Sequence, residues 1–253
     1  ATLFQGILMR YFIFGDVHGN LEALQAVLEL ARSECVDHYL FLGDLVGYGA
    51  SPDEVIETIA RLHPLSLVRG NHDKAVAGLE STDMFNPVAA AAIEWTRSHL
   101  RPESKEFLAR LKKGPLKVGR TLTICHGAPF DEDYYIFGEF DAAEAFDHLK
   151  TAIGFFGHTH FPVVYTLRKD LVKGQLLVGN VEIRLEPEAR YLINPGSVGQ
   201  PRDRNPLASC AIFDSEKRVL HLYRLKYDIR GAQRKILAAK LPPSLAERLS
   251  LGI

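Results

Sequence analysis

Five times along this chain a short apolar stretch gives way to carboxylate, imidazole or amide side chains. The five blocks are Asp16-Val17-His18, Gly43-Asp44, Gly70-Asn71-His72-Asp73, His126 after Ile124-Cys125, and Gly157-His158-Thr159-His160. Short apolar runs bounded by glycine read as buried strands. In an open parallel sheet the loops at the carboxyl ends of the strands converge on one edge. A chain with this pattern is expected to fold so that five distant loops meet at one rim. The residue types gathered there, with no thiolate among them, form the ligand set of a hard or borderline divalent metal pair.

The intervening sequence agrees with such a fold. Tyr11-Phe12-Ile13-Phe14, Tyr39-Leu40-Phe41-Leu42 and Leu65-Ser66-Leu67-Val68 are the first three expected strands. Between them, Leu21, Leu24, Val27, Leu28 and Ala31 recur at helical spacing over 21–32 with Asn20 as cap, and Ser51-Pro52 opens a helix over 52–61. This β-α-β-α-β order implies parallel strands with right-handed crossovers. Residues 74–113 are rich in helix formers, with starts at Asn86-Pro87 and Pro102; they either cap the strand tips or continue the helix layer. From Leu116 onward, strands are expected within 118–125 and at 153–156, 163–167, 176–178, 189–193, 208–213 and 218–225, with one helix over 142–150. These strands read as a second, mostly antiparallel sheet. A helical tail over 228–251 is broken by Pro242-Pro243.

Nothing linker-like divides the 253 residues, of which 47% are hydrophobic, so one domain over 9–253 is expected. A formal net charge of -1 provides no global field for nucleic acid or membrane. No apolar run approaches the ~20 residues of a membrane span. Cys35, Cys125 and Cys210 form no CxxC pair, have apolar neighbours and are expected in the core, which fits a reducing cytoplasm. Leu3-Phe4-Gln5-Gly6 resembles the remnant of an engineered protease-cleavage site, which sets residues 1–8 apart and makes Met9 the expected natural start.

Within the blocks, Asp16 and His18 share one side of an extended segment, as do His158 and His160, so each pair can grip one ion. Asp44 is the natural bridge, because a carboxylate has two oxygens. Two ions ~3.5–4 Å apart polarise a phosphoryl oxygen, generate hydroxide near neutral pH and align nucleophile with leaving group. His72, beside Asn71, is the candidate to protonate the leaving oxygen, and Asp73 to orient its imidazole. The remaining histidines, His38, His63, His99, His148 and His221, lie outside the blocks and read as structural.

Taken together, Gly15-Asp16-Val17-His18-Gly19-Asn20, Gly43-Asp44, Gly70-Asn71-His72-Asp73, Cys125-His126-Gly127 and Gly157-His158-Thr159-His160 resemble the motifs of the calcineurin-like metallophosphoesterase superfamily. The resemblance implies an α/β fold, a four-layer α/β/β/α sandwich of two mixed sheets flanked by helices. It implies Asp16, His18 and His160 as first-metal ligands, Asp44 as the bridge, and Asn71, His126 and His158 as second-metal ligands. Segments 44–49 and 194–202 resemble a bacterial or archaeal subgroup that includes small phosphodiesterases. One departure stands out. Protein serine/threonine phosphatases and symmetrical diadenosine tetraphosphatases typically carry an arginine shortly after the bridging aspartate, and here the stretch is Leu45-Val46-Gly47-Tyr48-Gly49. The bidentate phosphate clamp is missing from its usual place. Arg202 is the candidate substitute for substrate binding; Arg69 could serve too or make a structural ion pair.

The expected activity is a dinuclear-metal phosphodiesterase acting on small or nucleotide-like diesters by in-line attack of a metal-bound hydroxide. Two divalent ions are implied, manganese first, with iron, zinc, nickel or cobalt also compatible. A phosphomonoesterase, phosphoprotein phosphatase or dinucleoside polyphosphate hydrolase is the alternative within enzymes, and a silent scaffold for a protein partner the alternative outside them. The partner expected is a small phosphoester, with neither nucleic acid nor membrane, and with a homo-oligomer open. Tyr48, Phe130, Tyr134 and Tyr135 either line a pocket and stack a nucleobase or pack in the core. Asn194-Pro195-Gly196-Ser197 reads mainly as a turn, and Asp131-Glu132-Asp133 as a solvated acidic loop.

Overall fold

The first apolar run forms β1 (Arg10–Phe14), and its side chains alternate between two hydrophobic layers. Phe12 and Phe14 face helices, whereas Tyr11 and Ile13 face a second sheet. A strand buried on both sides reads as a continuous apolar run rather than an alternating one. The computed structural model describes residues 9–253; segment 1–8, read above as a cleavage-site remnant, lies outside the described residues.

Two six-stranded mixed sheets pack face to face. The first has β1 between β2 (His38–Phe41) and β11 (Ala208–Asp214), with β3 (Leu65–Leu67) beyond β2, and β12 (Val219–Leu225) and β9 (Val181–Arg184) beyond β11. Here β1, β2 and β3 run parallel, as expected, and β11 is antiparallel to β1. The second sheet runs β4 (Leu116–Val118), β5 (Leu122–Ile124), β6 (Ile153–Phe155), β10 (Arg190–Pro195), β7 (Pro162–Arg168), β8 (Leu171–Leu176). Its β5, β6 and β10 are parallel, and β7 is antiparallel to β10. The expectation that the second half of the chain makes its own mostly antiparallel sheet is therefore corrected: β9, β11 and β12 complete the first sheet. Hydrophobic alternation identifies the buried face of a strand, not its neighbour.

Helices α1 (Leu21–Ser33), α2 (Pro52–Ala60), α4 (Pro87–His99) and α5 (Pro102–Ala109) cover the outer face of the first sheet, and α6 (Glu139–His148) that of the second. This is the four-layer α/β/β/α sandwich. Asn20 and Asn86 cap α1 and α4 by accepting from Ala23 and Ala89 amides at 3.1 and 3.0 Å. Ser51 makes no such cap; its hydroxyl accepts from Lys235 Nζ at 3.2 Å instead. Ile93, Leu100, Leu108 and Leu111 join the core of the first sheet, so most of 74–113 continues the helix layer. A final pair, α7 (Ile229–Ala238) and α8 (Pro243–Leu251), packs with α4 around Tyr48. Cys125 and Cys210 are buried, but Cys35 is exposed, because it sits in the turn after α1 rather than on the helix's apolar face. Among the described residues no helix is long and apolar enough to cross a membrane.

Candidate metal centre

All five blocks reach one rim because each follows a strand. Asp16 and His18 follow β1, Asp44 follows β2, Asn71 opens the short helix α3 (Asn71–Val76) after β3, His126 follows β5, and His158 and His160 follow β6. Backbone bonds stitch the loops across the strand tips. The Val17 and His18 amides both donate to the Asp44 carbonyl, at 2.9 and 3.0 Å, and the Gly157 amide donates to the His126 carbonyl at 2.8 Å. The expected extended conformation is corrected here. Asp16, His18, Asp44, His158 and His160 all have positive φ, between 51° and 66°. Non-glycine residues in this region carry a conformational cost that clusters at functional sites. The side chains converge through successive left-handed turns, not through the two-residue repeat of a strand. Room for them depends on glycine: a Cβ on Gly70 would stand 2.0 Å from Asp44 Oδ1, and one on Gly157 2.7 Å from Asp16 Oδ2.

The side chains form two groups that share Asp44. Asp16, His18, Asp44 and His160 make one, and Asp44, His126 and His158 the other. Asn71 joins the second, with Oδ1 3.2 Å from His126 Nε2. Asp44 Oδ2 lies 3.5 Å from His18 Nε2 and 3.5 Å from His126 Nε2. Its Oδ1 is already used, accepting from the His72 amide at 3.0 Å. A single oxygen is thus the point common to both groups.

Backbone carbonyls fix the tautomers of the imidazoles. Nδ1 of His18, His126 and His160 donates to Val46, Leu42 and Gln200 carbonyls at 3.0, 2.8 and 2.6 Å, which turns Nε2 toward the cluster. His158 is reversed: Nε2 donates to the Asp133 carbonyl at 3.1 Å, which turns Nδ1 that way. Burial holds His18, His158 and His160 well below the ordinary imidazole range, so they are neutral. His18 Nε2 and His160 Nε2 then present lone pairs to each other at 3.1 Å, and Asp16 Oδ2 is buried without a hydrogen-bond partner. Both arrangements are unfavourable until a cation lies between the donors. Burial also acts on His126, but the Asp44 carboxylate outweighs it and raises that imidazole to about 10. Its proton balances the Asp44 charge, a task a metal ion would take over. The residues present fit a pair of divalent ions.

His72 lies beside the two groups and belongs to neither. Its ring is 4.9 Å from His18 and 4.4 Å from Tyr48, centroid to centroid, and burial pushes its pKa down to about 4. The expectation that Asp73 orients this imidazole is not met. Asp73 accepts from the backbone amides of Asp44, Leu45, Val46 and Gly70 at 2.8–3.2 Å, and His72 Nδ1 is buried without a partner. Arg69 makes a structural pair, donating from Nε and Nη2 to both Glu132 oxygens at 3.0 and 2.8 Å. Arg202 is free of carboxylates among the described residues; its Nη2 donates to Gln200 Oε1 at 2.8 Å, and its charge acts on Asp16, His18, His72 and Tyr48.

A cleft of about 420 Å³ opens beside the two groups, walled by Tyr48, His72, Phe85, Tyr135 and His158. Phe130 and Tyr134 pack instead against the hydrophobic cluster of α6. The acidic run is solvated only in part, since Asp131 is exposed but Glu132 is buried between Arg69 and Lys74. Nor is 194–197 only a turn. Asn194 Nδ2 donates to the Gly157 carbonyl at 2.7 Å and to Thr159 Oγ1 at 3.0 Å, and Ser197 Oγ donates to the Asp16 carbonyl at 2.8 Å. These residues brace the loops of Asp16 and of His158 and His160 from behind. The available signal was their position, directly after an apolar strand, like the five blocks.

A family model for the calcineurin-like phosphoesterase superfamily domain matches residues 9–218. An uncharacterized protein of Methanocaldococcus jannaschii, MJ0912, is 40% identical over 247 residues, 95% of this chain and 97% of that protein. A symmetrical bis(5'-nucleosyl)-tetraphosphatase of Baumannia cicadellinicola is 32% identical over 110 residues, which cover 43% of this chain and only 37% of that enzyme. Among solved structures, a metallophosphoesterase from Sphaerobacter thermophilus matches with a TM-score of 0.85 and 39% identity, covering 97% of this chain and 99% of that one.

Proposed function

This chain belongs to the calcineurin-like phosphoesterase superfamily, and from that premise we propose that it is a dinuclear-metal phosphodiesterase of small or nucleotide-like substrates. The observation that carries the reading is Asp44 Oδ2, equidistant at 3.5 Å from an imidazole of each ligand group. Two bound divalent ions, manganese first among candidates, would supply Lewis acidity toward phosphoryl oxygens and an acidified water. Asp16, His18 and His160 would hold one, Asn71, His126 and His158 the other, and Asp44 both.

The chain's own residues do the rest. Backbone carbonyls keep four imidazoles in the ligating orientation, so no reorientation is needed on binding, and His126 alone gives up a proton. His72 is neutral in the protein itself and holds a single proton. A phosphate anion in the cleft favours its imidazolium form, which can then give a proton to the leaving oxygen. Arg202 counters the phosphate charge. Diesters are favoured because they carry one negative charge where monoesters carry two, and Arg69 is committed to Glu132 rather than to a bidentate clamp. The cleft volume suits a small molecule, and Tyr48, Phe85 and Tyr135 suit a nucleobase. Similarity to the symmetrical tetraphosphatase favours dinucleoside tetraphosphates as a second reading, against which stands the missing arginine after Asp44. A single domain and a cytoplasmic location belong to the same proposal, the latter supported by three free cysteines.

The test compares bis(p-nitrophenyl) phosphate with p-nitrophenyl phosphate as substrates of the manganese-loaded chain. Diester turnover is expected to exceed monoester turnover; the reverse order refutes the diesterase assignment.

A further inference from the structure

The second ligand group depends on a loop that has no secondary structure of its own. Three of the four ligand imidazoles are oriented by carbonyls of Leu42, Val46 and Gln200, whereas His158 relies on Asp133, in the irregular stretch between β5 and α6. Tyr135 of the same loop stacks on the imidazole at 3.8 Å, while outside the loop the His158 amide donates to Asp16 Oδ1 at 3.1 Å and the His126 ring lies 4.8 Å away, neither of which hydrogen-bonds the imidazole nitrogens. Local turn bonds close the loop on itself, with the Ala128 amide donating to the Asp131 carbonyl at 2.8 Å. They do not tie it to the rest of the site.

Four charged side chains do. Arg69 and Lys74 flank Asn71, and both reach across to this loop. Arg69 forks onto Glu132, and Lys74 Nζ lies 3.5 Å from Glu132 Oε1, in contact with the Asp133 carboxylate, and 3.0 Å from Glu80. Glu132 and Lys74 are buried, with 4% and 9% side-chain exposure. None of the four is a ligand. Yet each lies on a segment that carries a second-group ligand or orients one, and none lies on the Asp16, His18 or His160 segments.

We propose that the Arg69–Glu132–Lys74–Asp133 network is a positioning device for the second metal ion alone, acting by holding the Asp133 carbonyl under His158 Nε2 and so keeping Nδ1 turned to the ion. This rests on the dinuclear reading above. A carbonyl that wanders lets the imidazole rotate or change tautomer, and groups that orient a ligand histidine typically govern about 10–100-fold in metal affinity.

The experiment is manganese binding to the full chain by titration calorimetry, with bound metal counted by elemental analysis, for the wild type and for Lys74→Met, Glu132→Gln and Lys74→Arg. Wild type is expected to bind two ions. In Lys74→Met and Glu132→Gln the weaker-held ion should lose affinity by about 10–100-fold while the other keeps its own. Lys74→Arg, which retains the charge, should stay near wild type. If Lys74→Met does not fold, the isosteric Glu132→Gln decides alone. Two ions retained at wild-type affinity overturn the proposal, and so does parallel weakening of both, which marks general destabilisation. A wild type that binds fewer than two ions overturns the dinuclear reading and this proposal with it.

Discussion

Replacing Asp73 with asparagine separates a carboxylate that builds the site from one that acts in catalysis. In the structure Asp73 is buried, and Oδ2 accepts from the Asp44 and Gly70 amides while Oδ1 accepts from those of Leu45 and Val46. An asparagine keeps one acceptor oxygen and turns an NH2 group toward the other two amides. Two buried donors then lose their acceptor, at about 1–3 kcal/mol each, or roughly 2–6 kcal/mol in all. Against a total stability of about 5–15 kcal/mol this is a large fraction, and for a chain of this size it lowers Tm by roughly 4–24 °C. The amides released belong to the turn that carries Asp44, so metal content should fall along with stability. The assay is urea and thermal unfolding of chelator-treated and manganese-loaded protein, with metal counted in parallel. A carboxylate that worked by orienting His72 would give the opposite signature, lost turnover with unchanged unfolding and full metal loading. That result would refute the reasoning.

Asp44→Asn is expected to release both ions and abolish activity, because Asp44 Oδ2 is the atom shared by the two ligand groups; elemental analysis that still finds two bound ions contradicts the bridging role. His72→Gln should leave two ions bound and lower kcat by about 10²–10⁴, the usual contribution of a general acid, and a variant with wild-type kcat rules His72 out as the proton donor. Acid should act on the metal-free protein through His72. His72, held at about 4 by burial against 6.5 when unfolded, binds fewer protons folded than unfolded between those values. Its contribution to stability therefore rises with pH across that window and is lost as pH falls from 6.5 toward 4, by about 3 kcal/mol; His18, His158 and His160 act in the same direction, whereas the Asp16 and Asp73 carboxyls, raised by burial to about 7, act against it. Urea midpoints of chelator-treated protein should fall more steeply from pH 6.5 to pH 4 in the wild type than in His72→Gln, and an equal pH dependence of the two would contradict it.

What a side chain offers is legible in sequence; which backbone group it faces is not. Asp16, His18, Asp44, Asn71, His126, His158 and His160 could be picked out because each directly follows an apolar strand, and the parallel order of β1 to β3 sends those ends to one rim. The left-handed backbone at five of them had no such signal, since non-glycine residues seldom adopt it. Asp73 stands next to His72 in sequence, which suggested a side-chain pair, but its partners are four amides, and amides are the same at every position. Strand neighbours were hidden for the same reason: Ala208–Asp214 pairs with β1 through backbone groups that any apolar strand presents. Glu132 is the limiting case. Alone it reads as one charge in an acidic loop, and its burial becomes intelligible only when Arg69 and Lys74, both bracketing Asn71, are seen to converge on it. Burying a carboxylate costs several kcal/mol unless it is paired and hydrogen-bonded, so its position between two cations is what makes the loop that orients His158 affordable at all.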